Sequence, residues 1–216
     1  MAQWGGKRQG AGRPKGKRSV VAHRARPVHE ASHPVHVTWR IVRGLPSLRT
    51  RRLAGVVGRT IRAITQAHRD RRSSFRILHF SIQPDHLHLI VEAETKEVLL
   101  AGLRGLAIWI ARRLNVQRGG HGRVFAERYH ARPLTTPRQM RNAIVYVLHN
   151  HKHHSPSRFL VDECSSGPWF DGWASPVPRP ATASPVSEPA TRLARTGWRR
   201  YGPIGFHEEP APKPLF

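Results

Sequence analysis

The segment from Gln83 to Val91 constrains the fold more than any other part of the chain, because it places two histidines on one face of a predicted strand. Successive side chains of a strand alternate between its faces, so His86 and His88 point one way while the residues next to them point the other. A Pro-Asp turn before the pair predicts a β-hairpin with the histidines at the start of its second strand. Neutral imidazole binds divalent cations, so the pair is a candidate part of a metal site.

The bare His-x-His pattern is not specific, because the chain has 15 histidines. The same spacing recurs at His149, His151 and His153. The choice between a metal site and a chance pair therefore depends on the rest of the chain.

Charge indicates the class of partner. The chain has 216 residues, with 37 Lys and Arg against 13 Asp and Glu, for a net charge of +24. Such a charge favours nucleic acid first and an anionic membrane surface second. No apolar run approaches the roughly 18 residues of a membrane span. The N-terminus also lacks the apolar core of a secretion signal. The single cysteine, Cys164, excludes internal disulfides and cysteine-rich zinc sites, so we expect a cytoplasmic protein.

Residues 1–32 form a predicted basic, flexible arm, because glycine, proline and charge together cannot build a core. Its candidate DNA contacts are Arg13, Lys15, Lys17 and Arg18. They resemble an AT-hook, an extended Arg-Pro segment that lies in a narrow minor groove. The alternative is a generic basic tail that binds any phosphate backbone.

Hydrophobic periodicity predicts the order βαββαβ followed by a third helix. The predicted elements are strand 36–42, helix 48–68, strands 75–83 and 86–92, helix 96–117, irregular strand 123–132 and helix 137–153. Two crossovers that share one antiparallel sheet, with both helices on one face, form an α+β ferredoxin-like split βαβ sandwich. The arginine-rich face of the first helix is either solvated or follows phosphates.

The third predicted helix carries an unusual polar stripe. Stepping about 100° per residue places Tyr146 in its centre, among Gln139, Asn142, His149, Asn150 and His153. The apolar residues fall on the other side, which we expect to face the sheet: Met140, Ala143, Ile144, Val147 and Leu148. If the stripe approaches His86 and His88, two imidazoles and the amide of Asn150 can hold a divalent cation beside the hydroxyl of Tyr146. The alternative is a tyrosine at the rim of a histidine-rich helix end.

Three motifs together resemble a known family: Pro84–Val91, Gly122–Phe125 and Tyr146–Asn150. They are similar to the single-tyrosine HUH transposases, and specifically to the REP-associated tyrosine transposases of bacteria, over about residues 33–155. Ser166–Trp173 also resembles a segment that follows the catalytic domain in some members. The resemblance implies a ferredoxin-like HUH domain with a C-terminal catalytic helix, Mg²⁺ or Mn²⁺ dependence, and cleavage of single-stranded DNA at hairpins of repetitive extragenic palindromes. It also implies a 5′-phosphotyrosine intermediate, a free 3′-hydroxyl and association with the bacterial nucleoid.

Carried over residue by residue, the resemblance makes Tyr146 the nucleophile and His86 and His88 metal ligands. Asn150 matches a polar residue that often provides a third ligand. Many members have Asn-Pro where this chain has Asn150-His151, so His149 and His153 remain competing ligands. Arg123, Arg128 and Tyr129 are the candidate contacts to single-stranded DNA, because such sites combine basic side chains with aromatic platforms.

The predicted domain organisation continues past the catalytic region. A Trp-rich extension covers residues 156–173, a Pro/Ala/Ser-rich linker residues 174–190, and a C-terminal tail residues 191–216. The stretch 191–206 within that tail either docks on the domain as a short lid or remains a basic tail.

Several alternatives stay open at the level of sequence. The chain is either an enzyme or a non-catalytic DNA-binding or regulatory protein derived from one. A plasmid relaxase or rolling-circle initiator fits less well, since the domain is compact and has one tyrosine on its last helix. A two-histidine phosphoesterase would need a second His-x-Thr or His-x-Ser strand. The protein is a monomer or a homodimer, with its site built in one chain or by exchange of the last helix.

Overall fold

A computed structural model describes residues 28–153 and 160–210 of the protein, without the side chain of His153. Four strands and four helices follow one another, and short 3₁₀ turns separate some of them. The elements are β1 (Val35–Arg40), α1 (Arg51–Asp70), β2 (Arg76–Ile82), β3 (His86–Glu92), α2 (Lys96–Gln117), β4 (His130–Pro133), α3 (Pro137–His149) and α4 (Arg192–Arg195).

The four strands form one antiparallel sheet in the order β2-β3-β1-β4. Strand β3 lies between β1 and β2, and β1 lies between β3 and β4. The register pairs Thr38 with His88 and Arg40 with His86. The histidine pair therefore lies on a central strand, as the sequence predicts.

Helices α1 and α2 cover one face of the sheet. Threonine side chains cap both of them, since Thr50 accepts from the backbone N–H of Leu53 and Thr95 from that of Val98. Gly102 lets α2 approach the sheet closely, because a Cβ at this position would lie 2.4 Å from the ring of Phe75. The two helices share a core with alternate residues of the strands, including Val37, Trp39, Leu87, Leu89 and Val91.

Helix α3 packs on the other face of the sheet and begins where the sequence predicts. Thr136 caps it by accepting from the backbone N–H of Gln139, and Pro137 occupies the first turn. The helix is buried around most of its circumference, because the C-terminal segment 160–210 covers the side that the sheet leaves exposed. Its apolar residues share a core with the sheet residues Leu78 and Ile90 and with the C-terminal residues Phe170, Trp198 and Ile204.

Charged side chains fix the C-terminal segment to the rest of the fold. The buried carboxylate of Asp162 accepts two hydrogen bonds from Arg49, at 2.7 and 2.9 Å. Glu92, at the end of β3, accepts from the backbone N–H and the hydroxyl of Thr191. Arg141 of α3 forms a two-pronged ion pair with Glu208. Within the stretch 191–206, for which the sequence left two alternatives, Ala194, Trp198 and Ile204 share a core with α3.

Two predicted elements differ most from the observed ones, while the bounds of β1 and α1 differ from the predicted bounds by one to three residues. The predicted strand 123–132 is regular only over His130–Pro133, and Phe125 forms a single isolated bridge with Ile41. The predicted helix 137–153 continues past His149 only as a 3₁₀ turn, Asn150–His153. Among the described residues, no helix is long and apolar enough to cross a membrane.

Candidate active site

Two histidines of β3 form the base of the candidate site. His86 and His88 point to the α3 side of the sheet, with ring centroids 4.7 Å apart and nearly perpendicular planes. Both are almost completely buried, at 7% and 2% exposure. The hairpin turn and the alternation of the strand produce this arrangement, as the sequence predicts.

A carboxylate orients His86. Oδ1 of Asp85 lies 2.6 Å from Nδ1 of His86. This contact places the ring proton on Nδ1 and makes Nε2 the atom that can ligate a cation. Carboxylates commonly hold metal-binding histidines in this way.

Two residues of β1 orient His88, and the sequence analysis did not assign them to the site. Nδ1 of His88 lies 3.1 Å from Oγ1 of Thr38 and 3.3 Å from Nε2 of His36. Burial, assisted by the charge of Arg132, lowers the pKa of His36 to about 4, so this histidine is neutral near pH 7. A proton on Nδ1 of His88 then donates to Thr38 or His36, and Nε2 becomes its ligating atom.

Tyr146 of α3 reaches the histidine pair. Its ring lies edge-on to His88 at a centroid distance of 5.0 Å and edge-on to His36 at 5.6 Å. The side chain is 9% exposed. Burial raises the pKa of the Tyr146 phenol, while a hydrogen bond from Asn150 and the charge of Arg40 act in the opposite direction.

The orientation of α3 differs in part from the prediction. The apolar side was expected to face the sheet, and the approach of the tyrosine stripe to His86 and His88 was left as a condition. Tyr146 itself contacts the sheet residues His36 and His88. The apolar side is shared between the sheet and the C-terminal segment, because this segment provides the helix with a second apolar surface that periodicity alone cannot reveal.

Asn150 lies one turn beyond Tyr146 and is 1% exposed. Its Oδ1 atom is buried without a hydrogen-bond partner among the described residues. A buried amide oxygen without a partner is costly, and a cation would satisfy it.

The two competing candidate ligands are His149, at the end of α3, and His153, in the 3₁₀ turn that follows it. His149 packs against Trp173 of the C-terminal segment at a ring-centroid distance of 5.4 Å. The side chain of His153 is outside the described part of the structure. Within that part, no group of three or more His, Cys, Asp or Glu side chains could hold a metal ion.

Arg40 brings a positive charge to the edge of the site. It pairs with His86 in the sheet register, and its guanidinium lies 3.9 Å from Asp85. The side chain is 57% exposed, so solvent and a bound anion can both reach it. The sequence offered a signal for this residue: His36, Thr38 and Arg40 alternate with apolar residues and so share one face of β1.

Among the residues expected to contact DNA, Tyr129 lies on the opposite face of the sheet from the histidine pair. Tyr129 packs edge-on against Trp39, at 5.7 Å, in the core on the α1 and α2 side. Arg123 is exposed and donates to the backbone carbonyl of Phe125. Arg128 is also exposed. Arg13, Lys15, Lys17 and Arg18 lie outside the described residues.

No protein-family model matches the chain, and no curated protein matches it. Several solved structures are similar to it, and two of them are described here. One is a REP-associated tyrosine transposase bound to a REP hairpin, with 17% identity and a TM-score of 0.46 over 63% of this chain and 77% of the other. The second is a "putative transposase" of Deinococcus radiodurans R1, with 16% identity and a TM-score of 0.39 over 53% and 87% of the two chains. Both are distant in sequence and partial in coverage, so the chemistry of the site has to be argued from the residues of this chain.

Proposed function

We propose that the protein is a metal-dependent endonuclease and strand transferase that cuts single-stranded DNA at palindromic hairpins through a 5′-phosphotyrosine intermediate. The observation that carries this proposal is the contact between Tyr146 and His88, residues of two elements far apart in sequence. It unites a nucleophile with a pair of oriented imidazoles. The strand order β2-β3-β1-β4 with α1 and α2 on one face supports the ferredoxin-like assignment that we propose for the domain.

The donor set fits a divalent cation such as Mg²⁺ or Mn²⁺. Nε2 of His86, Nε2 of His88 and Oδ1 of Asn150 would hold it, with water and substrate oxygens completing the coordination. The fit rests on the Asp85–His86 contact and on the buried Oδ1 of Asn150. When bound, such a cation supplies Lewis-acid polarisation of a phosphodiester oxygen.

Tyr146 performs the covalent step. Its phenol loses a proton, its oxygen attacks phosphorus, and the bond from phosphorus to the 3′-oxygen breaks. The 3′-oxygen leaves with a proton as a free hydroxyl, and the 5′-phosphate remains on Tyr146. One phosphodiester is exchanged for another. The 3′-hydroxyl of a DNA strand can therefore attack the phosphotyrosine in a later step, which releases Tyr146 and joins the strands.

The surroundings of Tyr146 determine how readily it attacks. A free tyrosine has a pKa near 10 and is a poor nucleophile near neutral pH. Burial raises this pKa further, while Asn150 and Arg40 favour the phenolate. We assign Arg40 a second role, the stabilisation of negative charge on the attacked phosphate, because its exposed guanidinium stands at the edge of the site.

Charge and the family resemblance support the proposed nucleic-acid substrate. A net charge of +24 suits a polyanion. The resemblance of the three motifs to REP-associated transposases makes hairpins of extragenic palindromes the substrate that we propose.

A second candidate function is non-catalytic DNA binding or regulation. The low exposure of Tyr146, 9%, favours it, because a phenol that is closed off from substrate cannot attack. The two functions differ in one product, a covalent protein–DNA adduct.

The test uses a labelled single-stranded hairpin drawn from repeats that flank the gene. Wild type is incubated with Mg²⁺ or Mn²⁺, and the products are separated on a denaturing gel. We expect an adduct that needs both the cation and Tyr146, and that Tyr146→Phe abolishes while hairpin binding is retained. Tyr129→Phe and Tyr201→Phe are the matched controls and should keep the adduct, because these are the other two tyrosines of the chain. Tight binding by wild type without an adduct on several hairpins would favour the regulatory function.

A further inference from the structure

The outer surface of α1 and α2 is strongly positive, and its two acidic residues, Asp70 and Glu97, lie at the helix ends. No acidic residue occurs between Arg51 and Arg69 or between Val98 and Arg118. Among the described residues, none of the exposed arginines in these stretches forms an ion pair. These arginines are Arg51, Arg52, Arg59, Arg69, Arg104, Arg112, Arg113 and Arg118.

A tryptophan lies in the middle of this surface. Trp109 of α2 is 45% exposed, although this large apolar ring would normally be buried. The guanidiniums of Arg112 and Arg113 lie 5.9 and 5.8 Å from its ring centroid. A groove of about 410 Å³ runs beside it between α1 and α2, lined by Val56, Arg59, Trp109, Arg112, Arg113 and Val116.

We propose that this groove is a second nucleic-acid site, in which an unpaired base stacks on Trp109 while flanking phosphates bind the arginines. An aromatic platform beside basic side chains is the arrangement that single-stranded nucleic acid requires. The arginines Arg59, Arg112 and Arg113 approach the groove from two helices, so they can contact phosphates on either side of one base.

Charge argues against a second copy of the chain as the occupant. A symmetric dimer through this face would place the arginines of one copy against those of the other, and like charges at an interface are unfavourable. A polyanion neutralises them instead. The exposed apolar area alone is compatible with DNA or with a second copy of the chain. The positive charge around it favours DNA of the two.

The groove is separate from the candidate active site. Trp109 is on the helices that cover one face of the sheet, while His86, His88 and Tyr146 lie on the other face. A single DNA strand that binds at both sites has to pass around an edge of the domain. The inference rests on the proposed function only in taking DNA as the partner.

The experiment measures binding of labelled oligothymidylate to the full-length protein without divalent cation. We expect Trp109→Ala to weaken binding about ten-fold, which is the usual cost of losing one stacked base. Trp109→Phe keeps an aromatic face and should retain most of the affinity. Leu100→Ala is the matched control, because Leu100 is an exposed apolar residue of the same helix outside the groove, and it should bind as wild type does.

The salt dependence of binding provides a second readout. Arg112→Gln and Arg113→Gln should each reduce the slope of log affinity against log salt by about 0.7, the value for one phosphate contact to a single strand. The arginine variants also keep the test valid where Trp109→Ala fails to fold, which circular dichroism would reveal.

Two outcomes would overturn the inference. In one, Trp109→Ala, Arg112→Gln and Arg113→Gln all bind oligothymidylate with the affinity and the salt slope of wild type. In the other, light scattering shows a wild-type dimer that Trp109→Ala disrupts without changing DNA binding, which would make the face an interface between copies. The proposed function is tested separately, because a Trp109→Ala protein at saturating hairpin should still form the covalent adduct. Likewise, a wild type without an adduct would leave the binding result intact.

Discussion

The ring of Tyr146 lies edge-on to the ring of His88, with the two centroids 5.0 Å apart and the planes at 86°. Both residues belong to one chain, and α3 packs on the sheet of its own domain. The ion pair of Arg141 with Glu208 and the hydrogen bonds from Lys152 to Phe206 and Glu208 hold the helix in that place. We therefore expect the nucleophile and the histidines that serve it to come from the same molecule.

Complementation tests this assembly. Tyr146→Phe lacks the proposed nucleophile, and a double variant with His86→Ala and His88→Ala lacks the proposed cation ligands. The expectation that each chain builds its own site predicts that a mixture of the two remains inactive in the adduct assay. Recovery of a substantial share of wild-type activity would show that chains exchange α3.

Asp85→Asn should raise the Mn²⁺ concentration needed for half-maximal adduct formation by about 10-fold to 100-fold. The physical reason is that Asp85 holds the proton of His86 on Nδ1, at 2.6 Å, and so leaves Nε2 free to ligate the proposed cation. Excess Mn²⁺ should rescue the variant. Asp70→Asn changes an exposed aspartate at the end of α1 and should leave the titration unchanged. An unaltered titration in Asp85→Asn would remove Asp85 from the site.

Arg40→Ala should slow adduct formation about a hundred-fold, the range found for loss of one charge-stabilising donor. Hairpin affinity should change little, since one exposed phosphate contact is a small part of the total. Arg40→Lys should recover part of the rate by restoring the charge. Arg43→Ala, a change at an exposed arginine just after β1, serves as the control. Equal losses in the two alanine variants would indicate a general effect of charge.

Acid should destabilise the fold through buried neutral histidines. Burial lowers the pKa of His79 from 6.5 to about 4, with a smaller opposing effect of Asp171. His36 and His149 are lowered to about 4 as well. Because the folded-state pKa lies below the unfolded value, the unfolded chain binds more protons between these limits, and stability is lost as the pH falls from 6.5 toward 4.

The His79→Gln variant isolates one of these histidines. His79 keeps some exposure, so we expect its contribution to the pH dependence to be of the order of 2 kcal/mol. Urea unfolding at several pH values should show a shallower loss of stability on acidification than in wild type. Exposed His121 provides the control substitution, His121→Gln. A slope for His79→Gln that equals that of wild type would contradict the assignment.

Sequence patterns predicted the elements whose periodicity is strong. Helix α2 begins at Lys96 and ends at Gln117, as its apolar row indicates, and β3 covers His86–Glu92 as expected. The segment before β4 was harder to predict, because Phe125 is held to Ile41 by one bridge and no ladder follows it. Local alternation cannot show which residues of an extended segment find a partner strand.

The candidate site was predictable where it depends on a single element. The spacing of His86 and His88 on β3, and of Tyr146 and Asn150 along the chain, follows from local geometry. His36, Thr38 and Arg40 were missed because their role depends on the register between β1 and β3. The burial of Tyr146 was also missed, because the C-terminal segment that encloses α3 shows little periodicity of its own.

The most direct test of the central claim locates the DNA on the protein. Wild type is allowed to react with a hairpin and cation, the adduct is digested with protease and nuclease, and the peptides are sequenced by tandem mass spectrometry. We predict a nucleotide joined through its 5′-phosphate to the peptide that contains Tyr146, and to no other tyrosine. A nucleotide on another residue, or cleaved DNA without any modified peptide, would contradict the assignment of Tyr146 as the nucleophile.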